Sequence, residues 1–155
     1  SLIARHVGDL QIGVYVAPSY VERLGAPAHP RELQNTDHCI VGFLSSRTSK
    51  IDPLVLCSEN ERIEITGNYV LAVDDGNAYL EAGLVGLGVI ALPNYMAAAH
   101  QAVGALIPLF TQWRISPMPL YLAFPPNRHV NAKLRVFIDW IVELMEQHVP
   151  IANNQ

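Results

Sequence analysis

The sequence predicts an α/β protein, and three observations carry that reading. From Tyr69 onward, apolar runs of strand length alternate with segments of helical spacing, an order that implies parallel pairing with helices packed on the sheet. Half of the 155 residues are apolar and only 15% are charged, which suits one domain with a real core but is short for two full lobes. Near the end, Leu134, Phe137, Ile138, Ile141, Leu144 and Met145 recur at helical spacing, the apolar stripe of an amphipathic helix.

The elements follow in order. Val7 to Ala17 alternates and is rich in β-branched residues, which predicts a strand after a turn at Gly8-Asp9. Pro18 opens a short helix, Ser19 to Leu24, ended by Gly25 and Pro27, and His29 to Leu33 reads as one more helical turn. A strand at Cys39 to Phe43 leads into a polar loop, Leu44 to Lys50. Val55 to Cys57 and Ile63 to Ile65 predict two strands joined by the turn Ser58 to Glu61. Tyr69 to Val73 is a strand, Asp74 or Asp75 caps a helix over Asn77 to Val85, and Gly86-Leu87-Gly88 closes it. Val89 to Leu92 is a short buried strand, and Pro93 starts a helix through Gln101 that Gly104 ends. Leu106 to Phe110 and Leu120 to Phe124 are strands, and Asn131 caps the final helix, Ala132 to Gln147.

Several function classes are excluded on composition. No apolar run reaches the roughly 18–20 residues that span a bilayer, so no membrane partner is expected. The net charge is -4, and the ten basic residues are scattered, with Lys only at 50 and 133, so this stretch offers no phosphate groove for DNA. The start, from Ser1 to His6, lacks the layout of a secretion signal and already reads as strand, the mark of an excised fragment. Cys39 and Cys57 sit in apolar, strand-like surroundings, which points to thiols of a reducing cytoplasm, with a disulfide between them as the alternative.

Chemistry-bearing patterns are equally sparse. The histidines at 6, 29, 38, 100, 129 and 148 show no ligand spacing, so neither metal nor cofactor is expected. His38 and Cys39 are adjacent on a strand and point to opposite faces, so they form no nucleophile–base pair, and no enzyme is predicted. The run of Gly83, Gly86 and Gly88 closes a helix and enters a strand. A dinucleotide motif does the reverse, so helix termination and close packing explain these glycines. Trp113, Tyr121 and Trp140 read as core or lobe-packing residues.

Four segments, taken in order, resemble one family. Leu2 to Leu33 carries an arginine-bearing strand, a Gly-Asp-Leu turn, a strand ending Ala17-Pro18-Ser19-Tyr20, then Gly25-Ala26-Pro27 and Pro30 to Leu33. His38-Cys39-Ile40 leads into the next strand, and Asp74 to Met96 supplies a helix, a Gly-x-Gly turn and Leu92-Pro93-Asn94-Tyr95. Gly104, Trp113, Tyr121, Pro125 and the run Leu134 to Asp139 complete the series. Together these are similar to the effector-binding domain of LysR-type transcription regulators, over about Leu2 to Val149.

That resemblance implies a type 2 periplasmic-binding-protein-like sandwich, with one complete lobe (17–110) and the C-terminal part of the other (1–16 and 111–150, including the hinge strands). It implies a winged helix-turn-helix and a first half of lobe one outside this stretch, with DNA met only through that missing N-terminal domain. It also implies a small organic effector held in the cleft. Phe43, Leu44, Ser45, Ser46 and Arg47 follow a strand's carboxyl end, where α/β sheets place ligands, and hydroxyls beside a guanidinium suit a carboxylate. A solvated loop is the plain alternative. Asn77, at a helix start that the family turns to its cleft, is the sixth candidate, against simple capping by the neighbouring aspartates. The strand Leu120–Phe124 and the last helix lack part of their sheet, which predicts an exposed apolar face covered in a homo-oligomer. A transport solute-binding protein of the same fold is the alternative function.

Overall fold

The computed structural model describes residues 1–126 and 131–149, so His129 and residue 150 lie outside the described residues. It divides into two compact units: Ile12–Ser116, and Ser1–Gln11 together with the stretch from Pro117 onward.

The larger unit is built on β2 (Ile12–Val16), β3 (Ile40–Phe43), β6 (Tyr69–Val73), β7 (Ile90–Pro93) and β8 (Ile107–Leu109). β3 and β6 pair in parallel, while β2 pairs antiparallel with both β7 and β8. A parallel bridge between Ile40 and Val89 joins the two groups, with Val41 N–H donating to Val89 O at 3.0 Å and Val89 N–H to Cys39 O at 2.9 Å. The resulting order is β6-β3-β7-β2-β8. A hairpin of β4 (Leu54–Cys57) and β5 (Arg62–Ile65) lies apart, tied to the chain after β8 by a Cys57–Arg114 bridge. β2, which the sequence grouped with the hinge, is therefore paired on both sides inside this unit.

Strand alternation divides the core between the two faces of the sheet. Val14, Val16, Ile40 and Val89 face Tyr20 of α1 (Pro18–Leu24), Leu33 of the 3₁₀ turn Pro30–Gln34, and the hairpin's Leu56, Ile63 and Ile65. Tyr15, Val41, Ile90 and Leu92 face Tyr79 and Ala82 of α2 (Gly76–Leu84) and Ala97 of α3 (Asn94–Ala102). Gly83 is required by packing, since a Cβ there would run into the side chain of Ile90. Gly86 takes a positive φ of 79°, which lets the chain leave α2.

In the smaller unit, β1 (Ile3–Leu10) pairs antiparallel with β9 (Met118–Phe124), and α4 (Ala132–His148) packs on β1. Asn131 caps α4 by accepting from Leu134 N–H at 2.9 Å. The turn expected at Gly8-Asp9 does not form. β1 runs through both residues to Leu10, with its register shifting between His6 and Gly8. Glycine is needed there because a Cβ would collide with the Val149 carbonyl at the end of α4. Of the three aromatics expected as core or lobe-packing residues, Trp113 packs partly buried against the first core cluster, while Tyr121 and Trp140 are 61% and 54% exposed. Val136 and Phe137 are also exposed on α4, and only Ile138 of that helix is buried.

Candidate functional site

β6, β3 and β7 run the same way, so their carboxyl ends fall along one edge of the larger unit. The antiparallel β2 begins at that edge, with Ile12 opposite Pro93. Such an edge, outside the carboxyl ends of parallel strands, is where open α/β sheets hold ligands.

Five of the six residues singled out in the sequence form the exit of β3. Phe43 pairs with Val73, and Leu44 N–H continues the ladder by donating to Val73 O at 2.7 Å. The chain then folds back: Asp52 N–H donates to Phe43 O at 2.9 Å, Ser45 N–H to Lys50 O at 2.9 Å, and Ser49 N–H to Ser45 O at 2.8 Å. Ser49 holds the left-handed conformation, φ 53°, to make that return. The loop is thus closed on itself, with Ser46 and Arg47 exposed and Ser45 half-buried at its base. Arg47 has no ion-pair partner among the described residues.

Asn77 lies in the first turn of α2, exposed. Asp75 caps that helix, accepting from Ala78 N–H at 2.8 Å, so part of the helix's anion-attracting end is already satisfied by its own carboxylate. Loop and helix meet through Phe43, whose ring stands edge-on to Tyr79 at 5.4 Å. The Tyr79 hydroxyl accepts from Ala91 N–H at 2.9 Å, and burial pushes its pKa up to about 12 against the opposing effect of that bond. The geometry therefore brings all six residues to one edge, but Phe43 is used for packing and Asn77 stands beside a capping aspartate.

A second feature of this edge was not anticipated. Where β8 ends, a cavity of about 320 Å³ opens beside β2, lined on one side by Ile12, Val14, Trp113 and Ile115, and on the other by Tyr15, Asn94 and Gln101. Tyr15 donates its hydroxyl to Asn94 Oδ1 at 2.9 Å, and burial raises the Tyr15 pKa. Phe110, directly after β8, adopts φ 52°, and Trp113 N–H donates back to Phe110 O at 2.8 Å. The signal in the sequence is slight: the strand expected over Leu106 to Phe110 is followed by polar Thr111 and Gln112.

The remaining chemical groups are accounted for by structure. The hydroxyl of the fully buried Tyr20 shares a hydrogen bond with His38 Nδ1 at 2.9 Å and accepts from Cys39 N–H at 3.0 Å, so His38 serves packing. Cys39 and Cys57 are both free thiols. Among the described residues no cluster of His, Cys, Asp and Glu could hold a metal, and no helix is long and apolar enough to cross a membrane.

The family model for the LysR substrate binding domain matches residues 1–146. The chain belongs to this family. Among its relatives, an HTH-type transcriptional repressor from Pseudomonas aeruginosa is 27% identical over 97% of this chain and 47% of its own length. The regulator YhjC from Escherichia coli is 28% identical over 96% of this chain and 49% of its own. The chain thus spans about half the length of the curated relatives it matches. The regulatory domain of CrgA, a LysR-type regulator from Neisseria meningitidis, superposes with a TM-score of 0.73 at 27% identity, covering 93% of this chain and 69% of that one. The regulatory domain of AphB from Vibrio vulnificus shares the fold, with a TM-score of 0.74 at 24% identity, covering 93% and 68%. The LysR effector-binding domain has the type 2 periplasmic-binding-protein-like fold, as the sequence resemblance implied. The matches favour a regulator's sensing domain over a transport solute-binding protein.

Proposed function

We propose that this LysR domain is the effector sensor of a DNA-binding transcription regulator, and that its effector, a small organic carboxylate, meets the loop Phe43–Arg47 and Asn77. The observation that carries the reading is an exposed Arg47, without an ion pair among the described residues, in the same short loop as Ser45 and Ser46 at the carboxyl edge of a parallel sheet. A guanidinium with hydroxyl donors binds a carboxylate by charge-assisted hydrogen bonds. The domain does no chemistry on its ligand. It reports binding because the effector prefers one arrangement of the regulator to another, and a ligand without that preference shifts nothing. The protein works in the cytoplasm and meets DNA through an N-terminal helix-turn-helix like that named in its relatives.

The same reading makes the protein a homo-oligomer. The exposed Val136, Phe137 and Trp140 of α4 form an apolar stripe that supports a subunit contact.

The test is a calorimetric titration with acetate, succinate and benzoate, repeated on Arg47→Gln. At least one carboxylate should bind, and the variant should lose about tenfold of its affinity, the weight of roughly 1.4 kcal/mol for one charge-assisted contact. Equal binding by the variant would remove Arg47 from the site.

A further inference from the structure

We propose that the cavity at the end of β8 is a second small-molecule subsite, selective for an uncharged ligand that presents an amide edge. The argument begins with hydrogen-bond parity. Residue 89 bonds to β3 through both its N–H and its C=O, so Val89 and, two residues on, Ala91 direct their peptide groups toward β3. Ile90 and Leu92 then face β2, which makes Tyr15–Ile90 and Gly13–Leu92 the hydrogen-bonded pairs of that ladder. Val14 and Ile12 must consequently point the other way, toward β8.

The prolines obey this assignment. Pro93 lies opposite Ile12 and Pro108 opposite Tyr15, both in positions where no N–H is needed. Val14 finds its partner in Leu109. The partner for Ile12 would be Thr111, but the chain turns away at Phe110, whose φ of 52° breaks the strand. The Ile12 N–H and C=O are left facing the 320 Å³ cavity. Ile12 is half-buried, and a backbone pair turned into a cavity with its ladder partner missing calls for a replacement.

The cavity's chemistry selects that partner. A donor beside an acceptor on one residue matches the N–H and C=O of an amide, as the absent strand residue would have supplied. Around it stand Asn94, Gln101 and Thr111, neutral groups that donate and accept, and Trp113 and Phe110, which offer apolar surface. No lining side chain is charged. A carboxylate would set an oxygen against the Ile12 carbonyl with no cation to offset it, and would lose to the amide of the same shape. The volume falls at the small end of the range for ligand pockets, roughly 300–1,000 Å³. The subsite is separate from the Arg47 loop in both position and charge preference.

Benzamide and benzoate share a shape and differ in charge, so they are the probes. In ¹H–¹⁵N NMR titrations of the 155-residue chain, benzamide should shift the Ile12 amide and the Trp113 indole, with an apparent Kd at least tenfold below that of benzoate at the same signals. Thr111→Phe, at an exposed position, should fill the slot and abolish those shifts while the rest of the spectrum stays folded. Benzamide leaving Ile12 and Trp113 unmoved, benzoate moving them equally, or Thr111→Phe changing neither would each overturn the proposal. Shifts at Ser45 to Arg47 report on the other site, so the two proposals fail independently.

Discussion

Removing one oxygen from Tyr79 tests how the two parts of the central sheet are held together. β3 and β7 share a single bridge, Ile40–Val89, after which the next peptide of β7, Ala91, turns its N–H toward β3 and meets the Tyr79 hydroxyl at 2.9 Å instead. The hydroxyl thus substitutes for a rung of the ladder. Tyr79→Phe keeps the ring and its edge-on contact with Phe43, but leaves that N–H without a partner. The expected cost is about 1–2 kcal/mol, toward the low side of a buried unsatisfied donor because Ala91 is only half-buried. The ring also makes a pH signature. Its folded pKa of about 12 lies above the ordinary 10.0, so the folded state holds the proton more tightly than the unfolded chain. Between those values the unfolded state binds fewer protons, and stability falls as pH rises, by about 1.4 kcal/mol between pH 9 and pH 11. Tyr15, Tyr20 and Tyr69 are shifted the same way by burial, so the quantity that isolates Tyr79 is a double difference. Urea unfolding of wild type and Tyr79→Phe at pH 9 and pH 11 measures it. The wild-type advantage should shrink by about 1.4 kcal/mol at the higher pH. An advantage unchanged between the two pH values would refute the buried, proton-holding hydroxyl.

Other perturbations follow from single contacts. Gly83→Ala drives a methyl into Ile90 and should cost about 1–3 kcal/mol in urea melts, whereas a nucleotide role for that glycine run predicts a binding defect with stability intact. Phe137→Asp on the exposed stripe of α4 should lower the oligomeric mass seen by light scattering without lowering the melting temperature; an unchanged mass would place the subunit contact elsewhere. Reduction with dithiothreitol should leave thermal stability unchanged, since Cys39 and Cys57 are free, and a fall in melting temperature would reveal a disulfide.

Much of this architecture was legible because local chemistry and global fold agree. The Asp75 and Asn131 caps, the 3₁₀ turn after His29, and the Ser58–Glu61 hairpin turn each announce themselves in a few residues. Gly8 was misread because its glycine answers a contact with Val149, about 140 positions along the chain, which no window around Gly8-Asp9 contains. Tyr121 and Trp140 were legible only as core or lobe-packing residues, because apolar side chains advertise a need for burial and not which partner meets it. The candidate site divided along the same line. The loop after β3 was visible as a polar run following a strand. The slot beside Ile12 depends on which peptides face which neighbour, a property of register across three strands, and appears only once the ladder is paired.

The two loops at the carboxyl edge share a further trait. Ser49, in the return of the β3 loop, and Phe110, at the exit of β8, are the non-glycine residues with positive φ among those described. Such conformations cost of order 1 kcal/mol or more and persist where surrounding contacts impose them. Glycine would relieve most of that cost at Ser49, yet it would also widen the unfolded ensemble by about 0.5–1 kcal/mol, so Ser49→Gly should change stability by less than about 1 kcal/mol. Its effect should appear in the loop instead. The bonds from Ser45 to Lys50 and from Ser49 to Ser45 hold Arg47 at the tip, and a glycine hinge lets that tip sample more conformations. If the strain pre-organises Arg47 for its ligand, Ser49→Gly should weaken carboxylate binding several-fold while amide exchange in residues 45–50 speeds up. Faster exchange with undiminished binding would mean that the strained turn shapes the loop without serving recognition.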